Sequence, residues 1–252
     1  MLIQLIRNAG NMTPQQMVFS ALLMFFALAL SFSVHEFMHA STAVWLGDPT
    51  PRNMGRLTLN PIAHLDPVGT ILLLVAGFGW GKPVMYNPRN LNRFRSYRGM
   101  NIMVHLAGVT GNFIVGLISA LLAGIFSVLA LKFDAGVIGD RITPFYALYM
   151  LFTYTNIISL MLLGFNLLPI PPLDGFHVLE ECLPYKVRSS NGYRKFEQFS
   201  PYIIWVVFIL GYFTNIPGLS TLIGIIEWPF NFIINLLTNP LIMLVAKALG
   251  VG

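Results

Sequence analysis

Two histidines and a glutamate fall within the five residues HEFMH, His35 to His39, inside an apolar run that extends from Val18 to Gly47. An ionisable side chain at bilayer depth costs roughly 3 kcal/mol or more, so three so close together require a compensating partner. On a helix, residues four apart share a face. His35 and His39 can therefore hold one metal ion while Glu36 stands beside it to take a proton from water, the arrangement of a zinc metalloprotease. The alternative is a helical crevice in which both imidazoles are hydrogen-bonded to backbone carbonyls and to Glu36. A catalytic zinc also needs a third protein ligand and an open fourth position.

Few residues can supply that ligand. The single cysteine, Cys182, excludes a multi-cysteine zinc site and an internal disulfide framework. Asp174 leads, in GFNLLPIPPLDGFHVL, where Pro169, Pro171 and Pro172 break a regular helix and Gly175 relaxes the backbone. Broken backbone at membrane depth is tolerated where it is buried in protein or lines a cavity. Asp174 could equally cap the helix that follows, and the two roles are compatible. Zinc would also balance the charge of Asp174 and Glu36, leaving the cluster near neutral. His177 could contact a ligand from outside or compete as one, His105 is a packing histidine and His64 makes a turn contact.

The elements that must carry these residues are membrane helices. With 56% hydrophobic and 10% charged residues and a mean hydropathy of +0.70, the chain is too apolar for an ordinary soluble domain. MTPQQM starts the first helix, with Thr13 as cap, Pro14 at the first helical position and Gln16 closing a capping box. The apolar run from Met17 to Val34 is long enough to span, and the first helix is expected to be retained rather than cleaved as a signal peptide. Further spans are expected at about residues 101–131 and 145–168, with a re-entrant or interfacial half-span in VGTILLLVAGFGWG. The apolar stretch 201–249 is interrupted by Asn215, Pro217, Pro229 and Pro240 and makes one span or several. Gly116, Ala120 and Gly124 form a small-residue ridge for close helix packing.

Basic residues set the orientation. Eleven of the fifteen lie in residues 47–100 and 186–195, which places both segments in the cytoplasm and the N-terminus outside. The net charge of +5 follows from this asymmetry and calls for no nucleic-acid partner.

HEFMH in the first span followed by NLLPIPPLDG resembles the site-2 protease family of intramembrane zinc metalloproteases. GDPTPRNMGRLTLNPIAHLDPVGT and FGWGKPVMYNP are similar to its compact, mainly prokaryotic branch. The resemblance runs from about residue 31 to 185. It implies one zinc ion held by His35, His39 and Asp174, with Glu36 as general base and with Asn112 and Asn166 contacting the substrate or transition state. In AGVTGN, Val109 occupies a position that is usually proline, while Asn112 is in place.

These features predict an all-α polytopic membrane protein of about four to six transmembrane or re-entrant helices, with a small β-rich cytoplasmic segment. An extended substrate could pair with an exposed edge in residues 48–67. The chain is expected to form one domain, 1–252, with a catalytic core over 13–185 and C-terminal membrane segments over 199–250. The expected activity is endoproteolysis in or near the transmembrane segment of another protein in a prokaryotic cell membrane. A proteolytically silent chaperone or scaffold and a metal transporter are the alternatives. Retention of Glu36 argues against the first, and the lack of a polar path along Val18 to Ser33 argues against the second.

Overall fold

The computed structural model describes residues 13–76, 80–133, 142–214 and 219–251, and among them the chain is helical with no strand. The first helix, α1 (Pro14–Trp45), begins at the expected capping box, in which Thr13 N–H donates to Gln16 and Gln16 N–H to Thr13 Oγ1. Its 32 residues exceed the bilayer core. His35, 21 residues beyond Pro14, lies about 32 Å along the axis, near the far boundary of that core. Val18, Leu22, Phe26 and Leu30, each four residues apart, are exposed in one outward row. Such a row would be a liability in water and suits lipid.

Short turns follow in place of the expected β-rich segment. α2 (Thr50–Asn53) and α3 (Pro61–His64) lie within residues 48–66, and among the described residues pairing is confined to a single bridge between Leu65 and Gly81. Proline explains the difference. Pro49, Pro51 and Pro61 fix φ near helical values and remove strand donors, and Asn60 caps α3 through the Ile62 N–H. His64 makes the expected turn contact, its Nε2 lying 2.8 Å from Thr58 O.

α4 (Pro67–Ala76) is the expected half-span: ten residues, or about 15 Å. The Leu65–Gly81 bridge and the Lys82 N–H bond to His64 O, 2.7 Å, bring the chain back to its starting point. The described ends of this segment thus lie side by side. At Gly69 a side chain would collide with the backbone of Trp80, so the return depends on glycine there.

The bundle is built from α1, α5 (Tyr97–Phe133), α6 (Pro144–Asn166) and α10 (Leu219–Ala248). Between them come α7 (Asp174–Cys182), α8 (Tyr185–Arg188) and α9 (Asn191–Thr214). Four helices among the described residues are long and apolar enough to cross a membrane: α1, α5, α6 and the Thr221–Ala248 part of α10. Ala27 and Leu28 pack on Ile158 and Leu162 to join α1 to α6. Val109, Leu160, Leu163 and Ile234 join α5, α6 and α10. Buried polar side chains also pair between helices, as in Ser31 Oγ with Ser159 Oγ at 2.8 Å and Asn156 Nδ2 with Gly116 O at 2.9 Å.

The small-residue ridge of α5 functions as expected, with Gly116 beside Leu160 and Ile234 and Gly124 pressed on Ile242. In contrast, Pro229 and Pro240 do not interrupt α10, which runs through both. Within a membrane, no water competes for the backbone, and neighbouring helices offset the lost bonds. Asn215 and Pro217 lie outside the described residues. Lys132 Nζ donates to Leu249 O at 2.6 Å, so α5 and α10 end at the same side of the bundle.

Candidate metal centre

The helical register of α1 puts His35 and His39 on one face, with ring centroids 4.6 Å apart and Nε2 atoms 3.0 Å apart. Both histidines are buried. Their outer nitrogens are held by α5: His39 Nδ1 lies 2.7 Å from Val104 O, and His35 Nδ1 lies 3.1 Å from Asn112 Nδ2. Val104, Gly108 and Asn112 are spaced by four and share a face of α5. Gly108 lies between the two anchors. A Cβ there would come within 2.6 Å of His35 Cε1 and 2.7 Å of His35 Nε2, and closer still to His39 Nε2. Glycine therefore keeps open the space into which the imidazoles point.

The third member arrives from 139 residues away in sequence. α6 ends at Asn166, and the proline-rich turn, with a cis bond between Pro171 and Pro172, folds back so tightly that a side chain at Gly175 would meet Leu167 O. This turn delivers Asp174 at the first position of α7. Leu173 occupies the cap position and there is no side-chain cap bond, so the carboxylate of Asp174 is not used as a cap. Instead Asp174 Oδ2 lies 3.2 Å from His35 Nε2 and 3.3 Å from His39 Nε2.

The chemistry of this donor set fits a metal ion. His39 donates Nδ1–H to a carbonyl, which can only accept, so in the neutral ring Nε2 carries the lone pair. That lone pair and Asp174 Oδ2, which has no hydrogen-bond partner, converge with His35 Nε2. Edges of 3.0–3.3 Å are near the roughly 3.3 Å expected for tetrahedral ligands at about 2.0–2.1 Å from an ion. His35, His39 and Asp174 are the group of metal-competent side chains found among the described residues.

Glu36 stands outside that ligand group. It is 7% exposed, and its Oε2 accepts the Val84 N–H at 3.0 Å. Residues 80–91 also reach the centre. Tyr86 Oη is 3.0 Å from His105 Nε2, and His105 Nδ1 is 3.7 Å from Asp174 Oδ1. Burial, followed by the charges of Glu181 and other neighbours, pushes the phenol of Tyr86 up, so it remains an O–H donor at neutral pH. His105 does more than pack. His177 stacks on it with centroids 4.7 Å apart and lies 3.5 Å from Glu180, away from the ligand group. Asn166 donates its amide to Leu162 O in its own helix.

Val84, Tyr86 and Val104 carry no sequence signal that marks them as members of the site. Gly108 had one clue, a glycine in the middle of a long apolar helix, where alanine would be the better helix former.

The fold and the cluster together define a helical membrane protein with a candidate metal centre buried among its spans. The sequence description of Peptidase family M50 matches residues 94–211. The Bacillus subtilis (strain 168) protein "Putative zinc metalloprotease YwhC" is 36% identical over 193 residues, covering 77% of this chain and 84% of YwhC. Rip2 of Mycobacterium tuberculosis (strain ATCC 25618 / H37Rv), which bears the same designation, is 28% identical over 209 residues, 80% of this chain and 70% of Rip2. No solved structure matches the chain significantly. The chain belongs to Peptidase family M50, the site-2 protease family that its motifs resemble.

Proposed function

We propose that the protein is an intramembrane zinc endopeptidase that cleaves peptide bonds in or beside a transmembrane segment of another membrane protein. The observation that carries this reading is the convergence of His35, His39 and Asp174 at 3.0–3.3 Å from helices far apart in sequence. His35 and His39 through Nε2 and Asp174 through Oδ2 would hold one zinc ion. When bound there, zinc supplies Lewis-acid polarisation of the scissile carbonyl and makes water more acidic.

Glu36 is the general base of this reading. Its carboxylate takes a proton from the attacking water and returns it to the leaving amine, so a bond forms from oxygen to the carbonyl carbon and the carbon–nitrogen bond breaks. The substrate helix must unwind, because its own hydrogen bonds shield the scissile bond. Asn166, where α6 gives way to the proline-rich turn, is assigned to the substrate side. The resemblance assigns Asn112 there too, although its amide lies against His35.

The chain acts as one domain over 1–252, with its catalytic core in 13–185 and membrane segments in 199–250. We place it in a prokaryotic cell membrane with the N-terminus outside and the site opening toward the cytoplasm, on the strength of the basic residues in 47–100 and 186–195.

Cleavage of a synthetic transmembrane peptide by purified protein tests the reading. Native protein with zinc should cleave within or beside the apolar segment, and Glu36→Gln should retain zinc while losing at least a thousandfold in kcat. Undiminished cleavage by folded Glu36→Gln protein would remove Glu36 from the mechanism. A scaffold would bind the peptide without cleaving it.

A further inference from the structure

Asn112 is completely buried, at 0% exposure, and its side-chain oxygen has no partner. Its amide nitrogen lies 3.1 Å from His35 Nδ1. In that arrangement Nδ1 accepts, so the ring proton sits on Nε2, which lies 3.0 Å from His39 Nε2. A ring protonated at Nε2 cannot offer that atom to a metal. Coordination requires the other tautomer, in which Nδ1 carries the proton and needs an acceptor. The two ends of an asparagine amide are nearly the same size, so a half-turn of the amide places the oxygen where the nitrogen was.

His39 presents the contrast. Its Nδ1 faces a backbone carbonyl, Val104 O, which only accepts, so its tautomer is fixed with or without metal. His35 alone faces a group that can both donate and accept.

We propose that Asn112 is a positioning residue for His35: its side-chain oxygen accepts the Nδ1–H bond that fixes the tautomer able to bind zinc through Nε2. Turned the other way, the same amide donates to Nδ1. An aspartate would serve only the metal-bound arrangement. This role replaces substrate contact for Asn112, and it rests on the zinc reading of His35, His39 and Asp174.

The test is zinc affinity of the full-length protein in detergent, measured by competition with a chromogenic chelator for native protein, Asn112→Leu, Asn112→Asp and Asp174→Asn. Outer partners of ligating histidines typically contribute ten- to a hundredfold in metal affinity. Asn112→Leu should therefore bind zinc about ten- to a hundredfold more weakly, whereas Asn112→Asp, which keeps the acceptor, should stay within about threefold of native or bind more tightly. Asn112→Ala is the second variant should leucine fail to fold, and the same loss is expected. A residue that only touches substrate leaves zinc affinity unchanged in every variant at position 112. Native affinity in Asn112→Leu or Asn112→Ala would overturn the proposal, as would an equal loss in Asn112→Asp. Equal affinity of native and Asp174→Asn protein would identify a different failure, that of the zinc reading, and the proposal would fall with it.

Discussion

The Val84 backbone N–H donates to Glu36 Oε2 at 3.0 Å across 48 residues of sequence. This bond ties the proposed general base to residues 80–91, which are fastened at Lys82 to His64 O and at Asn87 to Asp48. A bond to a charged acceptor contributes about 1.5–3 kcal/mol.

Val84→Pro removes that N–H in a stretch without regular secondary structure. The expected result is a fall in kcat of roughly ten- to a hundredfold with KM and zinc content near native. Val84→Ala, which keeps the N–H, should remain within about threefold of native activity, as expected for a side chain outside the reacting group. Native kcat in Val84→Pro would show that the bond does not position Glu36.

Gly108 separates helix propensity from metal binding. Alanine in place of glycine inside a helix normally stabilises by about 0.5–1 kcal/mol. Here its Cβ would intrude on both imidazoles. Gly108→Ala should therefore lose zinc affinity by at least about tenfold, because the ligating nitrogens must move. Equilibrium dialysis gives the readout. Native zinc affinity in this variant would mean that the rings do not need the space.

Asp48 gives a prediction for pH. It is fully buried, and its carboxylate accepts Thr50 N–H, Thr50 Oγ1–H, Asn90 Nδ2–H and Asn87 N–H. Burial alone would raise its pKa, but these four bonds outweigh it and hold the carboxyl below its ordinary value. A depressed folded-state pKa contributes stability above the unfolded value of about 3.9, lost as pH falls through the folded value. Asp48→Asn should be less stable than native protein at pH 7 by about 2 kcal/mol. The difference between the two thermal midpoints should begin to narrow as pH falls below about 4. A gap that does not narrow as pH falls would contradict this origin.

Much of the bundle was legible because its signals are local. The capping box at Thr13, the length of the apolar runs and the four-residue spacing of His35 and His39 each depend on neighbours in the chain. The proline-rich turn also announced itself, since three prolines and a glycine leave few regular conformations. By contrast, the turns at Pro49–Asn53 and Pro61–His64 are stretches where proline prevailed over an expected β segment, and α10 is one where lipid-like surroundings prevailed over Pro229 and Pro240. The contacts of Val84, Tyr86 and Val104 were illegible for a different reason. Two of them act through backbone atoms, which every residue possesses, and all three meet their partners only after α1, α5 and residues 80–91 have packed.

The orientation is open to a direct labelling test. Arg95→Cys in a Cys182→Ala background removes the native exposed thiol and places one at a basic position. An impermeant maleimide should label intact cells poorly and inverted vesicles well. Labelling confined to intact cells would reverse the topology.

Zinc content of purified Asp174→Asn protein tests the central claim most directly. Leu173 rather than Asp174 holds the cap position of α7, so helix stability should change by no more than about 1 kcal/mol. Loss of the anionic oxygen that faces both imidazoles should lower zinc affinity at least about tenfold and abolish turnover, with thermal unfolding of the metal-free protein unchanged. Full zinc occupancy with near-native turnover in Asp174→Asn would contradict the assignment of Asp174 as the third ligand, and with it the metal centre described here.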